Sequence, residues 1–498
     1  MIKIMTTMKN KLTKSLLGLA ALTMAFTSCS ESFLDKEPTS FLTPEQLADI
    51  AKLNPDALKS SISGLYSLTF QFGTGGTERH DDFGQKSYDI TMDLMSGDMA
   101  MSGESYGWFS DASRLLGYRT TEEYTYMFWR YHYRLIKNTN LIFEIIGGDE
   151  VIPDREELAH YYGQAKAMRA YSYFQLVNMY GKQYTKDPND LAVPFYDAKQ
   201  DDYGTQLTVA DTYAFIEADL LQAIDALEGF TRANKNEINQ DVAKGMLAYV
   251  YLQMGNNAEA ARLSGEIIAD NKFPMLAKTE VSTTGFNNWS NPSWMWAVDL
   301  TIDNSPALPT FWGQVDKFTY SYAWAGDAKI IDSDLFASIP ATDARKNWFD
   351  ADGLPVWKFY DGKRDASESG INKTWDNDEV YMRIEEMYLI NAEALARDNR
   401  LPEAKTSFKV FLNQRDETVT AMVDAMTESV FLDAVLYNWR VEMWGEGRSL
   451  LTMKRFDKTY KRGANHLSGM AGIEVAATDD RLIFEIPQAE VLNNPNVK

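Results

Sequence analysis

The sequence predicts a mainly α protein: a superhelix that contains tetratricopeptide repeats, with an irregular, loop-rich subdomain beside it. Three observations lead to this fold. Apolar residues recur at spacings of three and four in eight segments, as they do along one face of a helix. Two of the resulting helix pairs share an internal repeat. Two long segments, 70–126 and 273–378, lack this periodicity and are rich in Gly, Ser, Asn, Asp and aromatic residues.

The N-terminal segment has the features of an exported lipoprotein. Four lysines lie within the first 14 residues, an apolar run follows over residues 15–26, and Cys29, the only cysteine of the chain, comes shortly after it. The run is too short to cross a hydrocarbon core about 30 Å thick. We therefore predict that residues 1–28 are a signal peptide, and that a lipidated Cys29 tethers the protein to a membrane.

The region after Cys29 predicts a tether and then a folded body. Residues 29–43 are mostly polar, and Thr43 and Pro44 suit the cap and the first turn of a helix. The folded body over residues 44–498 is long enough for one large domain or for two to three smaller ones. The chain has 49 Lys and Arg against 71 Asp and Glu, a net charge of −22, so a polyanion such as nucleic acid would be repelled. With its only cysteine lipidated, the protein has to be stabilised by its core rather than by disulfides.

The helical segments follow one another from residue 131 onward. Helices are predicted over residues 131–146, 158–180, 209–227, 240–254, 258–269, 380–397, 402–414 and 430–456. The segment 273–378 offers only a short helix, over 333–338. Within it, Trp294 and Trp296 alternate on one face of an expected strand, and we assign both to the core.

The internal repeat consists of small and bulky packing positions in two helix pairs. In a tetratricopeptide repeat, small residues let two helices approach, and a bulky residue fills the groove beside them. A third, looser pair joins 158–180 to 209–227. The matching positions are Ala248, Tyr251, Ala260 and Ser264 in one pair, and Ala392, Leu395, Ala404 and Phe408 in the other.

A series of motifs in a fixed order resembles one known family, the SusD/RagB proteins. These are nutrient-binding lipoproteins of Bacteroidota-type bacteria. Together the motifs cover nearly the whole chain. They are Cys29 with FLDKEP, IKNTNLIFEI, AKAMRAYSYFQLVNMYG around Arg169, AVPF, TYAFIEADLLQAIDAL, DVAKGMLAYVYLQMGN, RIEEMYLINAEALAR, FLNQRD, RVEMWGEGRSLLTMKRF and IFEIPQAEVLNNPNV.

The resemblance implies a place in an uptake system. Family members fold as a tetratricopeptide-containing α-superhelix covered on one side by a loop-rich subdomain. They sit on the extracellular face of a SusC-like TonB-dependent transporter of the outer membrane, bind a nutrient that is commonly an oligosaccharide, and act as the lid of the transporter. By this resemblance, residues 44–272 form an N-terminal half, 273–378 a ligand-side insertion and 379–498 a C-terminal helical part.

The charged residues of these motifs are interpreted as structural rather than catalytic. They lie on or at the ends of apolar-striped helices, where ion pairs and caps are ordinary. The four histidines show no metal-ligand spacing, and no GxSxG elbow or phosphate-binding glycine loop occurs. We predict no catalytic residue, no cofactor and no metal site. The residues interpreted in this way are Arg383, Glu385, Glu386, Glu442, Glu446 and Arg448.

A saccharide site needs flat aromatic faces beside groups that hydrogen-bond hydroxyls. The two loop-rich segments contain that combination, and both resemble the regions that supply ligand contacts in family members. Asp98 and Glu104 precede the aromatic residues of the first segment, and Asn287, Asn288, Gln314 and Asp316 accompany those of the second. The predicted ligand-binding residues are Tyr106, Trp108, Trp289, Trp312, Tyr320 and Trp324.

Three alternatives to glycan capture stay open. A repeat superhelix can serve only as a protein-interaction scaffold, which predicts that no saccharide binds. The nutrient can also be something other than a carbohydrate, such as a peptide. A surface glycoside hydrolase is the least favoured, because acidic residues are so numerous that a pair of carboxylates has no diagnostic value.

Overall fold

The computed structural model describes residues 43–199, 203–364 and 370–498. The predicted signal peptide, Cys29 and all of the tether except Thr43 lie outside these residues. In the part of the chain that is described, no helix is both long enough and apolar enough to cross a membrane.

The described residues form seventeen α-helices, eight short strands and several 3-10 turns. The helices are α1 (Pro44–Leu53), α2 (Lys59–Ser67), α3 (Gln85–Ser96), α4 (Ser110–Ser113), α5 (Glu123–Ile146), α6 (Glu156–Tyr180), α7 (Val209–Ala226), α8 (Gln240–Met254), α9 (Asn257–Asp270), α10 (Phe311–Val315), α11 (Ser333–Ser338), α12 (Ile384–Arg397), α13 (Leu401–Asn413), α14 (Thr420–Val423), α15 (Glu428–Glu442), α16 (Ser449–Arg455) and α17 (Gln488–Asn493). The strands are β1 (Met99–Met101), β2 (Leu191–Phe195), β3 (Thr205–Thr208), β4 (Trp294–Val298), β5 (Lys329–Ile331), β6 (Glu379–Arg383), β7 (Tyr460–Lys461) and β8 (Glu474–Val475).

This inventory confirms the mainly α prediction. Helices α8 and α11 coincide with the predicted segments 240–254 and 333–338. Local chemistry explains the bounds of α8, since the Asn239 side chain accepts a hydrogen bond from Val242 N, and Gly255 ends the helix in the left-handed conformation. Helix α5 begins at Glu123, well before the predicted residue 131.

Two predicted helices are wrong in part. The segment 380–397 begins as strand β6, which pairs with β4, and becomes helical only at Ile384. All five residues of β6 are buried, so their apolar spacing reflects burial on both faces rather than a helical stripe. The segment 430–456 is broken into α15 and α16, because Gly445 and Gly447 between them adopt φ of +79° and +72°.

Helix α3 lies in a segment that the sequence analysis assigned to loops. Every residue of α3 is buried. Its apolar residues stand at the alternate positions 88, 90, 92 and 94, which is the spacing of a strand, and polar residues such as Asp89 and Asp93 are buried with them. Four methionines here, Met92, Met95, Met99 and Met101, are at most 2% exposed, so they fill the core.

The helix pairs stack on one another through the repeat positions. Helix α8 packs against α9, α12 against α13, and α9 against α12, while α6 packs against α7. All eight repeat positions are buried. Between α9 and α12, Asn391 Nδ2 donates to Ala261 O at 3.0 Å and to Ser264 Oγ at 3.2 Å. Stacked pairs of this kind are what the repeat predicts.

A buried ionic network joins the helices to the loop-rich subdomain. The Glu442 carboxylate accepts hydrogen bonds from Arg383 at 2.6 Å, Arg415 at 2.8 Å and Arg345 at 3.2 Å. None of these four side chains is more than 1% exposed. Burial alone would raise the pKa of Glu442, but the adjacent arginines hold it well below its usual range. The structural interpretation of these motif charges is therefore confirmed.

The four sheets are two-stranded and antiparallel. In β4, Trp294 and Trp296 are both at most 1% exposed, which confirms their assignment to the core. The sheet formed by β1 and β5 matters most for the site, because it joins the two loop-rich segments.

Candidate functional site

Two loops far apart in the sequence emerge side by side from one sheet. Strand β1 pairs with β5 so that Met99 faces Ile331 and Met101 faces Lys329. In an antiparallel pair, the chain leaving one strand lies beside the chain entering the other. The segments 102–109 and 316–328 are therefore neighbours, and each carries predicted ligand-binding residues.

The buried carboxylate of Asp327 fastens the first loop to the second. It accepts hydrogen bonds from Ser105 N at 2.8 Å and from Tyr106 N at 2.6 Å. The loops approach so closely at Gly103 that a Cβ atom there would lie 2.5 Å from Gly326 O. The backbone that carries Tyr106 is therefore held in place rather than free.

Five rings lie on the two loops in two contact groups, which we call together the aromatic cluster: Tyr106, Trp108 and Tyr322 form one group, and Tyr320 and Trp324 form the other. Tyr106 and Trp108 both make edge-on contacts with Tyr322, with ring centroids 5.1 Å and 6.3 Å apart. Tyr320 and Trp324 contact each other at 5.5 Å with their planes 39° apart. Aromatic pairs prefer such edge-on and tilted arrangements.

Three rings of the aromatic cluster are open to solvent. Tyr106 is 56% exposed, Trp324 46% and Tyr320 39%. Behind Trp324 lies the backbone of Gly370, where a Cβ atom would stand 2.3 Å from the indole. Since large exposed aromatic side chains gathered in one place mark binding surfaces, these three rings form the accessible part of the site.

His80 contacts two rings of the cluster, and the sequence analysis did not identify it as part of the site. Its ring stacks on Trp108 with centroids 5.3 Å apart and planes 12° apart, and its Nδ1 lies 2.5 Å from Tyr322 Oη. Burial lowers the pKa of His80, which favours the neutral ring. A lone histidine in a polar stretch carries no sequence signal for this role.

A buried lysine provides a second support. The Lys329 Nζ donates to Gln314 Oε1 at 2.8 Å and to Asp327 O at 3.3 Å. Gln314 Nε2 in turn donates to His80 O at 2.9 Å. Burial lowers the pKa of Lys329 to about 7. These hydrogen bonds tie α10, the end of the second loop and the His80 backbone together.

The structure corrects the expectation for Trp312. That residue lies in α10 and is 0% exposed, so its ring cannot meet a ligand at the surface. Trp108 is half-buried with its ring stacked on that of His80, so less of it is open to a ligand than of the three exposed rings. Trp289 is half-buried and packs on the main core, and it makes no ring contact with the aromatic cluster among the described residues.

Charged groups border the exposed rings. Arg114 forms an ion pair with Glu104 at 2.5 Å on the first loop. The Lys373 Nζ lies 4.6 Å from the ring centroid of Tyr320. These groups present hydrogen-bond donors and acceptors beside flat apolar faces. That combination suits a ligand with apolar faces and a hydroxyl rim, such as a pyranose.

A second exposed aromatic group lies outside the cluster. Trp357 is 39% exposed, and its ring contacts Tyr360 at 5.3 Å. The Arg364 guanidinium lies 3.9 Å from the Trp357 centroid and 3.7 Å from that of Tyr360. A cation in this position covers part of both rings.

Two buried carboxyl groups away from the cluster, those of Asp93 and Glu379, have a raised pKa. Burial raises the pKa of Asp93 to about 7 and that of Glu379 to about 8. Asp93 accepts hydrogen bonds from Gly445 N and Ser449 N, and Glu379 lies within β6. In the described ranges, no three His, Cys, Asp or Glu side chains are grouped as a metal site would require.

Comparison with known families gives two matches that together span most of the chain. A SusD-like family described as starch-binding and associating with the outer membrane matches residues 33–252. The SusD family, SusD/RagB, matches residues 305–498. No curated protein matches the chain significantly.

Solved structures share the fold at low sequence identity. A SusD-like carbohydrate binding protein from Bacteroides vulgatus has a TM-score of 0.73 and 21% identity, over 88% of this chain and 96% of its own. A SusD superfamily protein from Bacteroides thetaiotaomicron has a TM-score of 0.71 and 22% identity, over 89% and 98%. One from Bacteroides fragilis has a TM-score of 0.73 and 21% identity, over 89% and 99%.

Proposed function

The chain belongs to the SusD/RagB family, and from this premise we propose that it captures an oligosaccharide at the cell surface. The observation that carries this proposal is the aromatic cluster, in which Tyr106, Tyr320 and Trp324 are exposed beside charged groups. Sugar rings stack on such faces through their C–H groups, and their hydroxyls bond to the polar rim. The loops that hold the rings are fastened to each other before a ligand arrives.

We further propose that the protein delivers this saccharide to a SusC-like TonB-dependent transporter. The family description places its members at the outer membrane. A lipid on Cys29 would hold the chain there, on the extracellular face, while the helix pairs leave room for docking on a transporter. Rigid loops suit this role, because a preformed site costs little ordering free energy on capture.

The test is binding of the mature protein to a panel of neutral and acidic polysaccharides, by gel retardation and then calorimetry. We expect one glycan class to bind. Trp324→Ala should weaken that binding at least tenfold, about 1.4 kcal/mol, because it removes the most exposed indole of the cluster.

Trp357→Ala is the matched control, since Trp357 has similar exposure but lies outside the aromatic cluster. It should leave the affinity unchanged. Binding that survives Trp324→Ala but is lost in Trp357→Ala would move the site to the second aromatic group. If no glycan binds while a peptide mixture does, the nutrient is not a carbohydrate, and if neither binds, the scaffold alternative is favoured.

A further inference from the structure

A cavity of about 240 Å³ lies among the helices, apart from the aromatic cluster. Its walls come from the end of α6, from α7, α8 and α16, and from the segments 181–187 and 477–483. No residue of the aromatic cluster lines it. One water occupies about 30 Å³ in the liquid. The cavity is therefore large enough to hold either several waters or one small molecule.

Lys454 on α16 brings an ammonium group to this cavity. The residue is 6% exposed, and its Nζ donates to Leu482 O at 2.9 Å and to Asn178 O at 3.2 Å. Both acceptors are neutral carbonyls, and no carboxylate of the described chain forms an ion pair with it. An ammonium has three N–H donors, so one remains for another partner.

The absence of a counter-ion at a buried ammonium is energetically unfavourable. Burial accordingly lowers the pKa of Lys454 to about 8. The neighbouring Arg455 differs, because Glu393 accepts two hydrogen bonds from it at 2.8 Å and 2.9 Å. The chain has a net charge of −22, yet none of the acidic side chains in its described part forms an ion pair with Lys454.

Gln253 on α8 adds a second donor to the same cavity. Its Nε2 is buried and has no hydrogen-bond partner. A buried donor without a partner costs free energy that an acceptor in the cavity would recover. Among the described residues, Lys454 Nζ thus keeps one N–H without an acceptor, and Gln253 Nε2 has no acceptor at all.

We propose that this cavity binds a small oxyanion, a phosphate or a carboxylate, held by Lys454 Nζ and the Gln253 amide. The charged groups at the rim of the cavity are two of each sign and cancel, so the positive charge that would attract an anion is that of Lys454. Two further lysines stand at its rim, each in an exposed ion pair, and the two acidic residues that line it are also at the rim. These are Lys182, Lys186, Asp187 and Asp480.

The first test compares the thermal unfolding of the mature protein in phosphate, acetate, glucuronate and chloride at equal ionic strength. Oxyanions that bind the folded state should raise Tm by an amount that grows with the logarithm of their concentration above Kd, and chloride should not. A rise in Tm with phosphate alone, if Lys454→Met abolishes it, would identify a phosphate site, and the same result with glucuronate alone would identify a sugar-acid site. The variant is needed because phosphate also stabilises proteins by exclusion from their surface. Equal Tm in all four salts would overturn the proposal.

Matched variants locate the effect. Lys454→Met should weaken oxyanion binding at least tenfold in calorimetry, while Lys461→Met should not, because Lys461 is exposed and does not line the cavity. Retained binding in Lys454→Met would refute the assignment. The affinity of the unaltered protein should also fall as the pH rises above about 8, where Lys454 loses its proton.

A second variant keeps the test valid if Lys454→Met does not fold. Gln253→Glu places a carboxylate of nearly the same shape on the cavity wall, where it can pair with Lys454. It should raise Tm in chloride and abolish the oxyanion effect. An oxyanion effect of undiminished size in Gln253→Glu would contradict the proposal, and saccharide binding at the aromatic cluster serves as the check that the fold is intact.

Discussion

A single glycine sets the position of the most exposed indole in the aromatic cluster. Gly370 has φ of +79°, and a Cβ atom there would lie 2.3 Å from Trp324. Gly370→Ala should therefore displace the indole and weaken saccharide binding about tenfold. It should also cost roughly 1–2 kcal/mol of stability, because alanine disfavours positive φ. Calorimetry of binding and chemical unfolding measure the two effects separately.

Gly229→Ala is the control, because it introduces the cost of positive φ without a clash between the new methyl group and a ring. Gly229 has φ of +76°, and nothing lies within 4 Å of the position its Cβ would take. This variant should lose similar stability and keep its affinity. If both variants bind as the unaltered protein does, the Trp324 indole does not contact the saccharide.

At the scale of elements, one side chain holds the first site loop on the second. Asp327→Ala should leave Ser105 N and Tyr106 N without acceptors, at a cost of about 1–3 kcal/mol. The loop should then sample other conformations, so hydrogen exchange at residues 102–106 should accelerate and saccharide affinity should fall. Exchange measured by mass spectrometry, with and without glycan, checks both.

Asp378→Ala is the matched control. Asp378 accepts hydrogen bonds from Trp289 N at 2.7 Å and Leu300 N at 2.8 Å, so it also joins two loops through backbone amides. It should lower stability while leaving binding intact. Loss of binding in Asp378→Ala, with binding preserved in Asp327→Ala, would place the ligand at Trp289 instead.

At the scale of the whole molecule, the buried ionic network links stability to pH. Burial would raise the pKa of Glu446, but Arg383 and Lys358 lower it from 4.5 to about 2. A depressed pKa means that the stabilisation is complete above about pH 4.5 and is lost as the pH falls toward 2. Glu446→Gln should cost about 3–5 kcal/mol at pH 7, because it leaves buried cations without their partner.

Unfolding by denaturant at a series of pH values checks this linkage. The difference between the unaltered protein and Glu446→Gln should shrink between pH 4.5 and 2. Glu403→Gln is the control, since the Glu403–Arg400 pair lies on the surface and such pairs contribute little. If the difference in free energy of unfolding between the two proteins stays constant across this pH range, Glu446 is not the group that makes stability depend on pH.

The sequence by itself predicted the features that depend on local pattern. Helix α8 was predicted to the residue because apolar spacing, the Asn239 cap and Gly255 are all encoded within one segment. The buried state of Trp294 and Trp296 was predicted as well, and so were ion pairs for the motif charges, but the burial of those charges was not. The order of motifs predicted the family, since it depends only on the chain itself.

The tertiary structure decided which residues form the aromatic cluster. Trp312 and Trp324 stand in similar polar surroundings in the sequence, yet one is 0% and the other 46% exposed. Exposure depends on what distant segments cover, and β1 pairs with β5 across more than two hundred residues. Helix α3 was missed for a related reason, because its surroundings bury polar residues together with apolar residues that alternate as in a strand. Local pattern determines helices, whereas long-range packing determines which aromatic faces a ligand can reach.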